Sequence, residues 1–305
     1  MKYSRPIIKE MSNTISIPIP ENFDLRLAIE GHGWYDLLPF SNDSPSGTLR
    51  YVFESRASGP VSISLYLKKG RIVINTTGSD RNETKLVVRR VLRMDEELDS
   101  FYETIESHLP FEWVARKGAG RLLRSATVFE DLVKTLCTTN CSWGLTRKMV
   151  TNLVDRLGRP APDGRRAFPT SEALAACSTD FFRDEIRAGY RSPYLHELGN
   201  SVASGQLDPE TWLTSELPTP DLKKEIMKVK GMGSYAADNL LKLLGRYDGL
   251  ALDSWLRSGF YKKHNRSKVC PDTKIEKHYR KFGEWKGLAI WCDMTESWFS
   301  ENDQQ

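Results

Sequence analysis

Two kinds of hydrophobic spacing divide the chain. Apolar and polar residues alternate in Phe23-Asp-Leu-Arg-Leu-Ala-Ile, Leu49-Arg-Tyr-Val-Phe, Val61-Ser-Ile-Ser-Leu-Tyr-Leu and Arg71-Ile-Val-Ile-Asn, the two-residue period of half-buried strands. Gly59-Pro60 and Lys69-Gly70 separate these runs as turns. Helices are predicted at about 85–92 and 95–107. From Ser125 onward the spacing changes to i, i+3, i+4, which predicts helices over 128–139, 145–157, 171–176, 179–187, 192–204, 254–263, 272–282 and 285–298. A Pro/Gly/Arg loop fills 158–169. The fold class is therefore α+β: an antiparallel sheet subdomain over 21–110, followed by a mainly helical region over 111–300. Residues 1–20, polar and carrying Pro6, Pro18 and Pro20, read as a loosely held arm, and 301–305 as a polar tail.

Within the helical region one stretch stands apart. Pro218 and Pro220 precede a helical run that is predicted to end at Lys230. Gly231-Met232-Gly233 then turns the chain tightly, because glycine accepts positive φ. A second helix starts near Ser234, with Ala236, Ala237, Leu240, Leu241 and Leu244 on one face. Asp248-Gly249 makes another turn, and Leu250-Ala-Leu252 delivers Asp253 to the head of the next helix. A Gly-x-Gly hairpin exposes backbone N–H groups at a helix N-terminus, where they and the helix dipole attract phosphate.

Charge supports that reading through its placement rather than its size. The whole chain carries a net charge of only +4. Residues 221–268 hold eleven Lys/Arg against five Asp/Glu, so the excess is concentrated at the hairpin, as contact with a nucleic-acid backbone requires. Hydrophobic residues at 39% and charged residues at 28% suit a soluble globular protein. No apolar run approaches a membrane span, and no secretory signal begins the chain. Five scattered cysteines, 137, 141, 177, 270 and 292, lack paired metal spacing; reduced thiols and a cytoplasmic location are expected.

Lys230-Gly-Met-Gly-Ser-Tyr-Ala-Ala, followed by Leu252-Asp-Ser-Trp-Leu-Arg257, resembles the helix-hairpin-helix DNA glycosylase superfamily. Gly189-Tyr-Arg-Ser-Pro-Tyr-Leu195, Phe129-Glu-Asp-Leu through Thr138-Thr-Asn140, and Trp285-Lys-Gly-Leu-Ala-Ile-Trp291 resemble family segments in the same order. The resemblance runs from about Phe23 to Trp298, and is greatest to bacterial 3-methyladenine and 8-oxoguanine glycosylases. It implies duplex DNA with a damaged or modified base as partner, a monomer, and no required organic cofactor. Some relatives bind an iron–sulfur cluster through four closely spaced C-terminal cysteines; only Cys270 and Cys292 lie there in this chain, so no cluster is expected.

The resemblance also assigns roles to residues. Asp253 takes the place of the carboxylate below the sugar; an aspartate there also serves as a helix N-cap, a role that Ser, Thr or Asn would fill as well, and the two roles can coexist. Bifunctional members carry a lysine two residues after the second hairpin glycine. Here that residue is Tyr235, which cannot form a Schiff base, so a monofunctional enzyme is implied, with Lys242, seven residues on, as an alternative amine. Tyr235 would line the base pocket, its face suited to a cationic alkylated base. Trp255 would line the same pocket or pack behind it, and Gly31 and His32 would lie at its rim. Gly231, Met232, Gly233, Ser234 and Lys230 would hold DNA phosphate. Tyr190 and Asn140 would enter the duplex or meet the orphaned base, and Arg191, next to Tyr190, would bind DNA. The carbonyls of Met227, Val229 and Met232 match positions that hold a monovalent cation in relatives. Alternatives at this level are a glycosylase for a bulky modified base of foreign or phage DNA, a bifunctional glycosylase/lyase, and a DNA-binding module without catalysis.

Overall fold

The computed structural model describes residues 13–300; the first twelve residues of the expected arm and the tail at 301–305 lie outside that range. Five antiparallel strands, β1 (Asn13–Pro18), β2 (Ser41–Asp43), β3 (Thr48–Ser55), β4 (Gly59–Lys68) and β5 (Arg71–Thr76), form one sheet in the order β1-β5-β4-β3-β2. The three central strands are those whose alternation is clearest in the sequence. The arm assignment fails at 13–18. There Ile15 and Ile17 alternate with polar residues, pair with Ile74 and Ile72 and are buried, so this segment is an edge strand.

The expected strand at 23–29 is a helix, α1 (Leu25–Glu30). Asp24 caps it by accepting the Leu27 amide at 2.8 Å, and a carboxylate cap outweighs a short run that fits either period. Helices α2 (Arg81–Val91), α3 (Asp99–Glu106) and α4 (Glu112–Lys117) follow. The helical region holds α5 (Val128–Thr138), α6 (Trp143–Leu157), α7 (Ser171–Ala175), α8 (Thr179–Asp184) and α9 (Ser192–Ala203). Next come α10 (Thr219–Met227), α11 (Ser234–Leu243), α12 (Ser254–His264), α13 (Asp272–Tyr279), α14 (Lys286–Thr295) and α15 (Ser297–Ser300). Among the described residues, no helix is long and apolar enough to cross a membrane.

Packing does not follow chain order. One core joins the sheet to α5, α6 and the helices up to α11. A second core joins Leu98 to Leu122, including α3 and α4, to the C-terminal segment 247–299. The chain thus leaves the sheet, contributes to the second core, crosses to the first through α5–α11, and returns. A cleft opens where the two meet.

Candidate active site

The hairpin is built by one glycine more than the other. Helix α10 ends at Met227, three residues earlier than its spacing predicts, and Met232 closes the turn by donating its amide to the Val229 carbonyl at 3.0 Å. Gly231 has φ +89°, and a Cβ there would stand 2.6 Å from Leu136 and Tyr194, so both backbone and space demand glycine. Gly233 has an ordinary φ of −74° and open space at its Cβ position; it leaves the head of α11 uncovered. No side chain caps α11, so its first-turn amides face outward without intrahelical acceptors. The Met232 side chain is buried and its amide is spent in the turn, so Met232 offers nothing to a phosphate through either group. Lys230 is exposed and pairs with Glu197 at 2.7 Å, a surface contact that a phosphate readily displaces.

Beyond α11, the chain brings Asp253 to the N-cap of α12. Its Oδ1 accepts the Leu256 amide at 2.6 Å, and its Oδ2 accepts the Tyr235 hydroxyl at 3.2 Å. The carboxylate is therefore a helix cap and also a wall of a cleft of about 530 Å³. Burial and the Asp253 charge push the Tyr235 hydroxyl well above its ordinary value, so it stays a neutral donor to that carboxylate.

Aromatic rings make most of the remaining wall. Trp34, Trp143, Trp255, Trp291 and Trp298 all line it. Three are anchored through their indole N–H groups: Trp34 to Asp131 at 2.8 Å, Trp143 to Asp36 at 2.7 Å and Trp291 to the Gly31 carbonyl at 2.7 Å. Trp255 and Trp298 stand at the rim, 42% and 40% exposed, with ring centroids 5.6 Å apart. Trp255 thus lines the cleft rather than packing behind it.

The cleft's electrostatics are unusual for an aromatic cage. His32 lies on the wall, and burial, with help from nearby Lys242, Arg93 and Lys134, pushes its imidazole down to about 3. It is neutral at any working pH, and its Nδ1 has no hydrogen-bond partner among the described residues. Lys242, on α11, is 3% exposed. Burial pushes its ammonium down to about 8, against the opposing pull of Asp253 and Asp238.

Two residues assigned to the site from the sequence lie elsewhere. Gly31 is not on the cleft wall: its carbonyl is taken by Trp291, and a Cβ would meet the Leu27 and Arg121 carbonyls at 2.5 and 2.8 Å. Arg191 is 3% exposed. Its guanidinium covers the Tyr190 ring at 4.4 Å and bonds the Thr139 carbonyl and Thr139 Oγ1 at 3.2 Å. It is an internal brace for the turn after α5 and has no face free for DNA. That brace presents the other two residues: Tyr190 is 50% exposed, and Asn140 takes φ +45° and donates to the Tyr190 hydroxyl at 3.5 Å. Because Thr138, Cys141 and Ser142 line the cleft, Asn140 stands beside its mouth.

Sequence reasoning missed Trp34, Trp143, Trp291 and Trp298 as site residues. Four separate segments supply the five rings, and no local period links them. The one available signal is the seven-residue spacing of Trp291 and Trp298, two helical turns that put both rings on one side.

Among the described residues, one cluster has the composition of a metal site: His264, His278 and Asp293, whose ligand atoms lie within 4.8 Å of one another. The Asp293 carboxylate already holds the Lys263 ammonium at 2.7 Å, His264 Nε2 at 2.6 Å and the Tyr279 hydroxyl. An ammonium occupies the place where a cation would bind, and the cluster reads as a buried ion-pair knot.

Neither a family model nor a curated sequence matches the chain. Solved structures do. A 3-methyladenine DNA glycosylase from Archaeoglobus fulgidus superposes with a TM-score of 0.75 at 17% identity, over 94% of this chain and 99% of that one. MBOgg1 bound to a low-affinity DNA ligand gives 0.75 at 19% identity, over 93% and 96%. The Clostridium acetobutylicum 8-oxoguanine glycosylase/lyase, bound to duplex DNA with cytosine opposite the lesion, gives 0.74 at 19%, over 95% and 96%. The chain has the helix-hairpin-helix glycosylase fold. Within this fold, Asp253 and Tyr235, the second residue of α11, both line the cleft.

Proposed function

We propose that the protein is a monofunctional DNA glycosylase, which binds duplex DNA as a monomer, flips one damaged or modified base into the cleft and hydrolyses its N-glycosidic bond. The observation that supports this most directly is Asp253: a carboxylate held by two hydrogen bonds, in the wall of an aromatic cleft, one helix beyond the hairpin. As the base departs, positive charge builds on the sugar, and a carboxylate held beside it stabilises that charge with no reorganisation. Asp253 also orients water for addition to C1′. Tyr235 holds the carboxylate's orientation and offers an aromatic face to the base.

Hairpin amides at the head of α11, with Gly231, Gly233, Ser234 and Lys230 around them, support a phosphate contact. Tyr190 and Asn140 support insertion into the bent duplex. A monovalent cation on the Met227, Val229 and Met232 carbonyls belongs to the same reading; Val229 accepts one amide and keeps a second lone pair. No step depends on that ion.

A second reading concerns the substrate. The cleft, at about 530 Å³, is larger than a singly methylated purine needs, and its rim tryptophans extend the stacking surface outward. Those features favour a bulky modified base, as in foreign or phage DNA. Base release measured by mass spectrometry from alkylated, oxidised, deaminated and phage-modified DNA tests both readings. Release that disappears in Asp253→Asn supports the glycosylase, and the identity of the free base decides the substrate. No release from any DNA, with retained DNA binding, overturns the enzyme in favour of a binding module.

A further inference from the structure

Three buried polar atoms in or just behind the cleft wall have no hydrogen-bond partner among the described residues: Lys242 Nζ, His32 Nδ1 and Thr135 Oγ1. Buried polar groups are nearly always paired, so a cluster of exceptions at a candidate site calls for a function. Lys242 carries the greatest cost, because its ammonium is a full charge. It stands 4.9 Å from the centroid of the Trp291 ring, and its helix neighbours Asn239 and Leu243 line the cleft. A cation is therefore set directly behind the aromatic wall. Of the carboxylates acting on it, Asp238 is already paired with Lys223 at 2.7 Å, which leaves Asp253 as its counter-charge.

Resting on the glycosylase reading above, we propose that Lys242 determines specificity: its buried ammonium, free of hydrogen bonds among the described residues and set behind the Trp291 ring, makes the cleft accept neutral bases that depart as anions, and reject bases that are already cationic. When a neutral base leaves, the C1′–N bond breaks with both electrons on the base. The sugar becomes an oxocarbenium ion and the base an anion. Water adds through oxygen to C1′, its proton passes to Asp253, and the base anion finally takes that proton. Lys242 stabilises the anionic leaving group, and Asp253 stabilises the sugar. An alkylated purine binds as a cation and leaves neutral, so it meets repulsion on entry and gains nothing on departure. On this proposal the substrate is the opposite of the cationic base expected from the Tyr235 face. Between charges several ångströms apart at an effective dielectric near that of a protein surface, the effect is on the order of 10- to 100-fold.

The charged and titratable groups acting with the Lys242 ammonium are Asp253 before α12, Asp238 on α11 and His32 on the wall, while two guanidiniums bond the backbone carbonyls at 242 and 243. Arg93 donates to the Lys242 and Leu243 carbonyls at 3.3 and 2.7 Å, and Arg124 to the Leu243 carbonyl at 3.1 Å. With His32 neutral and burial pushing Arg124 down only to about 10, Lys242 is the group that loses its charge near pH 8.

Two measurements test the proposal. The first is tryptophan quenching by guanosine and by cationic 7-methylguanosine at about pH 6, where Lys242 is charged. Wild type is expected to prefer the neutral nucleoside, and Lys242→Met to lose about 10- to 100-fold of that preference, with Lys242→Arg retaining it. An unchanged ratio overturns the proposal whether or not the protein is a glycosylase. The second is base release across pH. Release of a neutral base is expected to fall above pH 8 in wild type, to be lower and without that limb in Lys242→Met, and to extend to higher pH in Lys242→Arg. Preferential release of 7-methylguanine by wild type overturns the proposal and leaves the glycosylase standing. An altered quenching ratio without any base release overturns the glycosylase and leaves charge selection by the cleft.

Discussion

On the proposed function Asp253 has two duties, and substitution separates them. As a cap, its Oδ1 accepts the Leu256 amide; as a reactive carboxylate, it supplies negative charge to the cleft. Asparagine preserves the cap, since Asn and Asp are nearly equivalent at that position. Its amide can also donate to the Tyr235 oxygen, so Asp253→Asn is expected to lie within about 0.5 kcal/mol of wild type. Alanine removes the cap, at about 1 kcal/mol, and leaves the half-buried Tyr235 hydroxyl without its acceptor, at about 1 kcal/mol more. Asp253→Ala should thus lose about 2 kcal/mol. Chemistry follows a different order. A charge facing a developing cation at about 4 Å contributes up to about 4 kcal/mol at an effective dielectric of 20, so both variants should lose roughly 10²- to 10³-fold in base release. DNA affinity should hold, because the hairpin is untouched. Urea unfolding, single-turnover base release and DNA titration measure the three quantities independently. Base release by Asp253→Asn within a few-fold of wild type would refute the assigned chemistry. A loss of stability in Asp253→Asn as large as in Asp253→Ala would refute the separation itself.

Other consequences are equally direct. The folded chain releases the Lys242 proton near pH 8 rather than at 10.5, whereas the unfolded chain keeps it to the ordinary value. Wild-type stability relative to Lys242→Met should therefore be lowest below pH 8 and climb by about 3 kcal/mol as pH rises to 10.5, measured as the difference of their urea curves. Gly231→Ala should lose about 1–3 kcal/mol in the same assay, because its φ and its contact with Leu136 and Tyr194 both resist a methyl. Gly233→Ala should keep wild-type stability yet weaken DNA binding, since its methyl would project into open space at the head of α11. Arg191→Ala should destabilise by about 2–3 kcal/mol, because the buried bonds to the Thr139 carbonyl and Thr139 Oγ1 are lost, although the Tyr190 hydroxyl still donates to that carbonyl. Tyr190→Ala, at the exposed ring, should change stability far less and lower base release; the opposite order would reverse the roles given to these neighbours.

The hairpin and the central strands were legible in the sequence because each is decided locally, by Gly231 and by two-residue alternation. Segment 23–29 was misread because a short apolar run fits both periods and the deciding hydrogen bond, from Leu27 to Asp24, is a single contact. Edge strand β1 was missed because its prolines suggested an arm, whereas only its register against β5 shows Ile15 and Ile17 facing the core. Of the site, Asp253 and Tyr235 were legible through the hairpin they follow. The tryptophan walls were not, because their rings converge from segments far apart in the chain. Arg191 looked like a DNA ligand because it follows Tyr190 in a segment that resembles the family's, yet its partner is a backbone carbonyl 52 residues away. Burial of a cation is a tertiary fact.

The hydrogen bond from Trp291 to Gly31 spans 260 positions, and this separation has a bearing on synthesis. A chain emerging from the ribosome can pair its five strands early, since all of them lie within residues 13–76. The cleft, however, has no far wall until α14 has emerged and its indole has found a carbonyl made long before. Leu98 to Leu122 must likewise wait for their C-terminal partners. On the proposed function, a nascent chain therefore exposes its hairpin for binding before the cleft used for chemistry is complete. Interrupted translation near the last helices should yield a product that retains the hairpin's affinity for a polyanion but has no enclosed place to put a base.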